Sequence, residues 1–273
     1  HSFPTRRSSD LIIVIVVMAT SLCACSSLSN YLKTVNIVTL TTDELSDNNV
    51  ASAVAQTAVQ SCVRVVSTFT LVGQSFTSSG SGFIITSDGY VITNRHVVAL
   101  YIESQYKTTY SLKPTTSCKT LYSAGDVKIA FADGDAYECT IVAYSTDYNL
   151  DLAILKIQSK TGGASEFLPL SIDTSSTLFY GQTAYTFGNP ENIGLIFTSL
   201  MISNPGLKLN SSTSYDSIIL DGNINHGNSG GALIDDNIHV IGVIFARVES
   251  LSASDGENEV YGIGCAISST DLV

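Results

Sequence analysis

A histidine, an aspartate and a serine lie in three separate stretches whose residue types could carry out nucleophilic catalysis. His96 lies in TNRHVV, Asp151 stands before the apolar run LAILKI, and Ser229 lies in GNSGGALI. Because a serine hydroxyl is a poor nucleophile at neutral pH, it needs a base, and a histidine can take its proton. A carboxylate can fix the tautomer of that histidine and stabilise the imidazolium. Each stretch alone is weak evidence, but the order His, Asp, Ser, each in its own context, favours this chemistry.

The glycines beside Ser229 indicate how the negative charge of a reacting carbonyl would be met. Such a charge needs backbone N–H donors, and losing one donor lowers the rate by about 10²- to 10³-fold. Glycine before the serine lets the loop turn its N–H groups inward, so we predict Gly227 and Ser229 as the oxyanion-hole donors. The alternative is an ordinary turn, because Asn, Ser and Gly are frequent turn residues.

Short β-like runs separated by turn signals must position these residues. Thirteen Tyr, ten Phe and many Val and Ile favour β-structure. Asp88-Gly89 and Asp133-Gly134 are hairpin signals between such runs. Long helical periodicity is absent after residue 61, although residues 50–61 fit a short helix. The pattern predicts a barrel or a sandwich.

The three motifs resemble those of the HtrA (Deg) family of trypsin-like serine proteases. TNRHVV, DLAILKI and INHGNSGGALI match the family's catalytic motifs, and YGQTAYTFGNPENIGLIFTSLMIS resembles the strand, turn and strand before its nucleophile. The resemblance spans roughly residues 55–273. It implies an all-β fold, the chymotrypsin-like double β-barrel, here with a short N-terminal helix.

By this resemblance, His96 is the general base, Asp151 the orienting carboxylate and Ser229 the nucleophile. The implied activity is that of an exported serine endopeptidase that cleaves unfolded or damaged proteins through an acyl-enzyme intermediate. No cofactor and no metal are implied. The family often forms trimers, so a homo-oligomer is compatible with the sequence. The alternative is a catalytically latent chaperone or peptide-binding module on the same fold.

The sequence departs from the family pattern at two places. His96 and Asp151 are 55 positions apart, a longer separation than is typical. We interpret the excess near 100–125, which contains Cys118, as a surface loop insertion. His226 stands where the family usually has Pro or Arg, and we interpret it as a neutral neighbour of the catalytic loop; the alternative is a residue that shapes a subsite.

Residues before and after Ser229 in the sequence indicate a substrate preference. Asn223 stands near the position where trypsin has its pocket aspartate, so a strong preference for Lys or Arg is not expected. We predict that Ile244, Phe245 and Ala246 lie beside the substrate backbone and form part of the primary pocket. A preference for small or medium apolar residues follows.

The first 50 residues are predicted to lie outside the protease domain. We interpret residues 1–11 as non-native sequence derived from a sequencing adapter, with a basic n-region as the alternative. Residues 12–25 fit the apolar h-region of a signal peptide followed by a lipobox, which predicts lipidation of Cys25; the alternatives are an ordinary signal peptide and an uncleaved anchor. Residues 26–50 are predicted to be a flexible linker, and 51–273 the protease domain. We therefore expect a protein that is exported and anchored to the membrane at the bacterial cell surface or in the periplasm.

Composition excludes one class of function and leaves two questions open. The formal net charge of −11 argues against a general nucleic-acid-binding protein. If Cys25 is the first residue of the mature protein, four other cysteines remain, which could form two disulfides or stay buried free thiols; they are Cys62, Cys118, Cys139 and Cys265. The family usually carries one or more PDZ domains after the protease domain, and both a protein without them and a truncated fragment remain open.

Overall fold

Two closed barrels of antiparallel strands form the fold, one from each half of the chain. The computed structural model describes residues 47–71, 73–103, 108–109, 118–146, 150–158, 166–209, 216–247 and 262–272. Within these ranges the chain forms sixteen strands, whose bounds in chain order are β1 (Cys62–Leu71), β2 (Gln74–Ile84), β3 (Tyr90–Thr93), β4 (Ala99–Glu103), β5 (Thr108–Thr109), β6 (Cys118–Ser123), β7 (Asp126–Ala130), β8 (Ala136–Tyr144), β9 (Ala153–Ile157), β10 (Ser171–Ile172), β11 (Thr183–Gly188), β12 (Ile196–Leu207), β13 (Ser217–Asp221), β14 (Ala232–Ile234), β15 (His239–Arg247) and β16 (Ile263–Ser268).

The first barrel closes in the order β1-β2-β3-β9-β8-β7, with β7 pairing back to β1. Its strands alternate buried and more exposed residues, so one face of each strand points into the barrel. In β9, for example, Ala153, Leu155 and Ile157 are buried while Ile154 is exposed. The interior is filled by branched aliphatic side chains, which include Val63, Val65, Ile84, Val91, Val127 and Ile129.

The second barrel has the order β15-β14-β11-β12-β13-β16 and closes through pairing of β15 with β16. Strand β10 extends the sheet by pairing in parallel with β15. Its interior is again aliphatic, with buried side chains that include Ala184, Leu200, Ile202, Ile218, Leu220, Leu233, Ile241 and Ile244. The sequence-based prediction of an all-β, chymotrypsin-like double β-barrel is confirmed.

A helix at the start of the described chain packs against both barrels. Helix α1 spans Asp47–Ala58, and its Val54 and Ala58 belong to one buried cluster with Phe83 of the first barrel and Phe187 of the second. It begins earlier than the predicted range 50–61, so residues 47–50, assigned to the linker by their polar composition, are helical. Asp47 stands at the first helical position, where an acidic residue is favoured by the positive N-terminal end of the helix.

The segment predicted as a surface loop insertion contains regular structure. Strand β4 pairs with both β5 and β6 in a separate three-stranded antiparallel sheet. A loop of that length would leave many backbone groups to be satisfied by water, whereas paired strands satisfy them with each other. The prediction of a surface loop insertion near 100–125 is therefore corrected: the described part of this segment pairs in a small sheet of its own.

Three of the four cysteines predicted to lie in the domain have free thiols: Cys62, Cys139 and Cys265. The two-disulfide arrangement is therefore not formed. Burial raises the pKa of each of these thiols to about 12, so they stay protonated at neutral pH.

The predictions for the N-terminal segment concern residues before the described ranges. The adapter-derived sequence, the h-region, the lipobox with Cys25 and most of the linker lie outside the described residues. Among the helices that the structure describes, none has the length and apolar character needed to cross a membrane.

Because the two faces of β9 differ in burial, we expect alanine substitutions on them to differ in their effect on the free energy of unfolding. Leu155 is fully buried, and Leu155→Ala should lower the free energy of unfolding by about 2–5 kcal/mol, because a cavity remains where the side chain was. The adjacent Ile154, which is 36% exposed on the opposite face of the strand, is the matched control. Chemical denaturation should show a clearly smaller loss for Ile154→Ala, and equal losses would contradict the assigned strand faces.

Candidate active site

The predicted catalytic histidine follows the end of β3 on a one-turn helix. Asn94 is in the extended conformation (φ −79°, ψ 149°), and helix α2 then spans Arg95–Val98. The side chain of Asn94 is buried, and its Nδ2 donates a hydrogen bond to the backbone carbonyl of Asp151 (2.8 Å). This contact fixes the turn that carries His96 against the segment that carries Asp151.

His96 and Asp151 are joined by two hydrogen bonds. The backbone N–H of His96 donates to Asp151 Oδ1 (3.0 Å), and His96 Nδ1 lies 2.5 Å from Asp151 Oδ2. Because an ionised carboxylate only accepts hydrogen bonds, Nδ1 donates its proton to Oδ2, and Nε2 is the ring nitrogen that is left to exchange a proton. The Asp151 side chain is 2% exposed and that of His96 is 26% exposed. The pair therefore consists of a partly exposed imidazole that is hydrogen-bonded to a buried carboxylate.

A buried arginine also faces this carboxylate. Arg95 is 1% exposed, its Nη2 lies 3.8 Å from Asp151 Oδ1, and its Nη1 donates to the carbonyls of Ser145 and Leu150 (both 3.4 Å). Burial by itself would raise the pKa of Asp151, but the charge and hydrogen bonds of His96 and the charge of Arg95 hold that pKa below its usual range. Asp151 is therefore ionised at neutral pH.

Ser229 lies on the loop between β13 and β14, which contacts the first barrel directly. The N–H of Ser81 in β2 donates to the carbonyl of Ser229 (2.8 Å). A Cβ placed on Gly80 would lie 2.9 Å from that carbonyl and 2.6 Å from Cγ2 of Val97, the residue after His96. The serine loop and the histidine helix therefore lie against the same point of β2.

The hydroxyl of Ser229 is directed to β15. Its Oγ donates to the carbonyl of Phe245 at 3.4 Å, and within the described part of the chain it makes no hydrogen bond to His96. The structure thus brings His96 and Asp151 into direct contact and places Ser229 on the adjoining loop. Hydrogen bonds between catalytic groups are often long or misaligned without a substrate.

The loop leaves the N–H groups of its two predicted donors without an acceptor among the described residues. The carbonyl of His226 accepts from Glu191 N (2.9 Å) and that of Asn228 from Gly231 N (3.0 Å). In a trans peptide the C=O and the following N–H point in opposite directions. The N–H groups of Gly227 and Ser229 therefore point away from these anchoring contacts. Gly227 has φ +95°, a conformation that requires glycine.

The predicted substrate strand runs beside the serine loop. Gly230 N donates to the carbonyl of Ile244 (2.7 Å), and Ile244 N donates to the carbonyl of Gly231 (2.9 Å). The side chains of Ile244 and Phe245 are buried, and the backbone of Ala246 pairs with Cys265. Ile244 and Phe245 therefore lie next to the serine loop, and Ala246 follows them on the same strand.

Asn223 and Ile224 precede the serine loop, and Ile224 lies against β16, the strand that pairs with β15. Ile224 is buried, and its side chain occupies the space that a Cβ on Gly264 would need, so it packs against the backbone of β16. Asn223 beside it is exposed. Sequence reasoning identified Asn223 but missed Ile224, because a single isoleucine in a loop carries no signal of burial.

The chain matches the family model described as the trypsin-like peptidase domain over residues 80–243. The chain belongs to this family. It is 34% identical over 154 residues to the serine endoprotease DegS of Salmonella typhimurium strain 14028s, a match that covers 56% of this chain and 40% of DegS. It is 32% identical over 148 residues to the periplasmic serine endoprotease DegP of Salmonella typhimurium strain LT2, covering 54% of this chain and 29% of DegP.

A solved structure agrees with these sequence matches. The HtrA-type protease AlgW, determined with a tripeptide, aligns with a TM-score of 0.59 and 28% identity, over 81% of this chain and 60% of AlgW. The prediction of an HtrA-like, trypsin-like protease domain is confirmed. The chain spans less than half of the length of the two curated relatives.

The lowered pKa of Asp151 predicts how its contribution to stability depends on pH. The folded pKa lies below the unfolded value of about 3.9, so ionised Asp151 stabilises the fold above that value, and the contribution disappears as pH falls through the folded pKa. We expect the melting temperature of the wild type to exceed that of Asp151→Asn at pH 6, and the difference to shrink steadily below pH 4. A difference that stays constant from pH 6 to pH 2 would contradict the assigned ionisation of Asp151.

Proposed function

We propose that this protein is an exported serine endopeptidase that cleaves unfolded or damaged polypeptides through an acyl-enzyme intermediate. The observation that carries the proposal is the pair of His96 and Asp151: a buried, ionised carboxylate accepts from Nδ1 and leaves Nε2 basic. The adjoining loop supplies a serine and two backbone N–H donors. The family match and the relatives named serine endoproteases support the same class of reaction.

The proposed reaction begins when Ser229 Oγ turns from the Phe245 carbonyl towards Nε2 of His96. Oγ attacks the scissile carbonyl while His96 takes the hydroxyl proton, and Asp151 stabilises the imidazolium that results. The N–H groups of Gly227 and Ser229 stabilise the negative charge that develops on the carbonyl oxygen. His96 then gives its proton to the leaving amine, which produces the acyl-enzyme. Water activated by His96 releases the second product by the same steps.

The proposed substrate is an extended peptide with a small or medium apolar residue before the cut. Ile244, Phe245 and Ala246 would lie beside its backbone, and the Phe245 carbonyl that now accepts from Ser229 would accept a substrate N–H. The buried Ile224 against Gly264 shortens the space beside this strand, and Asn223 brings no negative charge to it. Both features favour apolar side chains of limited size over Lys or Arg.

The proposed location is outside the cytoplasm, attached to the membrane by lipid on Cys25. The apolar run of residues 12–22, the small residues before Cys25 and the polar stretch after it support this proposal, and one relative is named periplasmic. The proposed partners are unfolded polypeptides and the membrane through the lipid anchor, with no binding of nucleic acid.

A catalytically latent peptide-binding module is the second candidate function. It is favoured by one observation, the hydrogen bond of Ser229 Oγ to Phe245 rather than to His96. In this form the chain would bind extended peptides along β15 without cleaving them.

Cleavage of an unfolded protein separates the two functions. The wild type is expected to cut casein, and Ser229→Ala to lose more than about 10³-fold in rate, because the nucleophile is removed. Mass spectrometry of the fragments should show small or medium apolar residues before each cut. Ser203→Ala, which changes an exposed serine on β12 of the same barrel, is the matched control and should cleave like the wild type.

A folded wild type that binds casein without cleaving it would contradict the endopeptidase and support the peptide-binding module. Cleavage that persists in Ser229→Ala would show that Ser229 is not the nucleophile. Cuts found mainly after Lys or Arg would contradict the proposed pocket while leaving the mechanism intact.

A further inference from the structure

Ser81 lies in the first barrel, yet its hydroxyl contacts the loop that carries the proposed nucleophile. Building on the proposed function, we infer that the Ser81 hydroxyl is a positioning group for the oxyanion hole. It holds the peptide group between Gly227 and Asn228, which joins the two N–H donors, so that both donors face a substrate carbonyl. Ser81 is fully buried on β2. It is neither a nucleophile nor a base in this account, since it acts through Gly227.

The hydroxyl of Ser81 bridges two segments of the second barrel. Its Oγ donates to the carbonyl of Gly227 (2.7 Å) and accepts from the N–H of Asn189 (2.9 Å). Asn189 N also lies 3.3 Å from the Gly227 carbonyl. One side chain thus connects β2 with the turn after β11 and with the serine loop.

The Gly227 carbonyl belongs to the middle one of three consecutive peptide groups, which link residues 226 to 229. The peptide before Gly227 is anchored through the His226 carbonyl by Glu191 N, and the peptide before Ser229 through the Asn228 carbonyl by Gly231 N. The peptide that joins them is anchored through the Gly227 carbonyl, for which Ser81 Oγ supplies the shorter of two hydrogen bonds. Because this middle peptide group joins the two groups that carry the donors, a displacement of it changes the relative position of the Gly227 and Ser229 N–H groups, and the Ser81 hydroxyl holds it in place.

The position of the Ser81 hydroxyl is itself fixed by its backbone. Ser81 N donates to the carbonyl of Ser229 (2.8 Å), and the Ser81 carbonyl accepts from the hydroxyl of Thr93 (2.7 Å). Thr93 is the last residue of β3, three positions before His96. The backbone of Ser81 is therefore hydrogen-bonded both to the serine loop and to the strand that leads to His96. These two contacts fix the position of its hydroxyl relative to both.

The sequence and structure also provide a matched control. Ser67 is fully buried on the neighbouring strand β1, and its hydroxyl has no hydrogen-bond partner among the described residues. Ser67→Ala removes the same atom from the same barrel without touching the serine loop. Comparison of the two variants separates the loss of a buried hydroxyl from the loss of this particular contact.

The test measures steady-state hydrolysis of a fluorogenic peptide that contains a casein cleavage site. In Ser81→Ala we expect kcat to fall about 10- to 100-fold and KM to change less than about 2-fold, because the donors are misaligned in the transition state while substrate binding is retained. Ser67→Ala should match the wild type in both constants. A merely structural role would lower the melting temperature without separating kcat from KM.

A peptide boronate gives a second readout on the same variants. Ser229 Oγ adds to boron, its proton passes to His96, and one boron oxygen takes the place of the reacting carbonyl oxygen. Its affinity should fall in Ser81→Ala by about the same factor as kcat/KM, as expected of a transition-state analogue. Ser81→Cys, which keeps the size of the side chain with a weaker donor, should lie between Ser81→Ala and the wild type, and it serves as the test variant if Ser81→Ala does not fold.

The outcomes distinguish this inference from the proposed function. If the wild type cleaves the peptide, and Ser81→Ala and Ser81→Cys show unchanged kcat and boronate affinity, the role of Ser81 is overturned. The proposed function is then unaffected. A rise in KM with unchanged kcat would overturn the role of Ser81 too. A folded wild type that neither cleaves the peptide nor binds the boronate would contradict the proposed function and the oxyanion hole with it.

Discussion

The buried carboxylate of Asp151 is the constraint on which the rest of the site depends. A carboxylate in this position is costly unless charged and hydrogen-bonding partners surround it. The chain supplies them from one turn: the N–H and Nδ1 of His96 and the guanidinium of Arg95. The same contacts that make ionised Asp151 acceptable inside the protein also fix the orientation of the imidazole. Stability and the proposed chemistry therefore require the same geometry.

The two barrels contribute different parts of this geometry, and a few short contacts connect them. The first barrel supplies the histidine and the carboxylate from the ends of adjacent strands β3 and β9, which pair directly. The second supplies the serine loop and the strand beside it. Their relative placement depends on backbone contacts with no room for a side chain: Gly230 packs against the carbonyl of Ser81 and the backbone of Asn94. An added Cβ there would push the serine loop away from the histidine.

The contact between His96 and Asp151 and the nearby position of the Ser229 loop were predictable from the sequence, because each of these residues lies in a short local motif. The double barrel followed from the same resemblance and from the alternation within the strands. The sheet that contains β4 and β6 was not predicted, because it depends on pairing between residues about 20 positions apart rather than on local pattern. Burial of Arg95 was missed for a similar reason: a charged residue is normally expected at the surface, and its partners, the carbonyls of Ser145 and Leu150, come from a distant segment. Ser81 gave no signal either, since a serine between two glycines usually indicates only a turn or a flexible strand.

The central claim is that Ser229 is activated by His96, and covalent labelling tests it most directly. The wild type would be treated with a peptide phosphonate that displaces its leaving group only on attack by an activated serine, and the modified peptide would be identified by mass spectrometry. The account predicts one adduct, on Ser229, with a labelling rate that falls by more than about 10³-fold in His96→Ala. A folded protein that forms no adduct, or that is labelled at another serine or equally fast without His96, would contradict it.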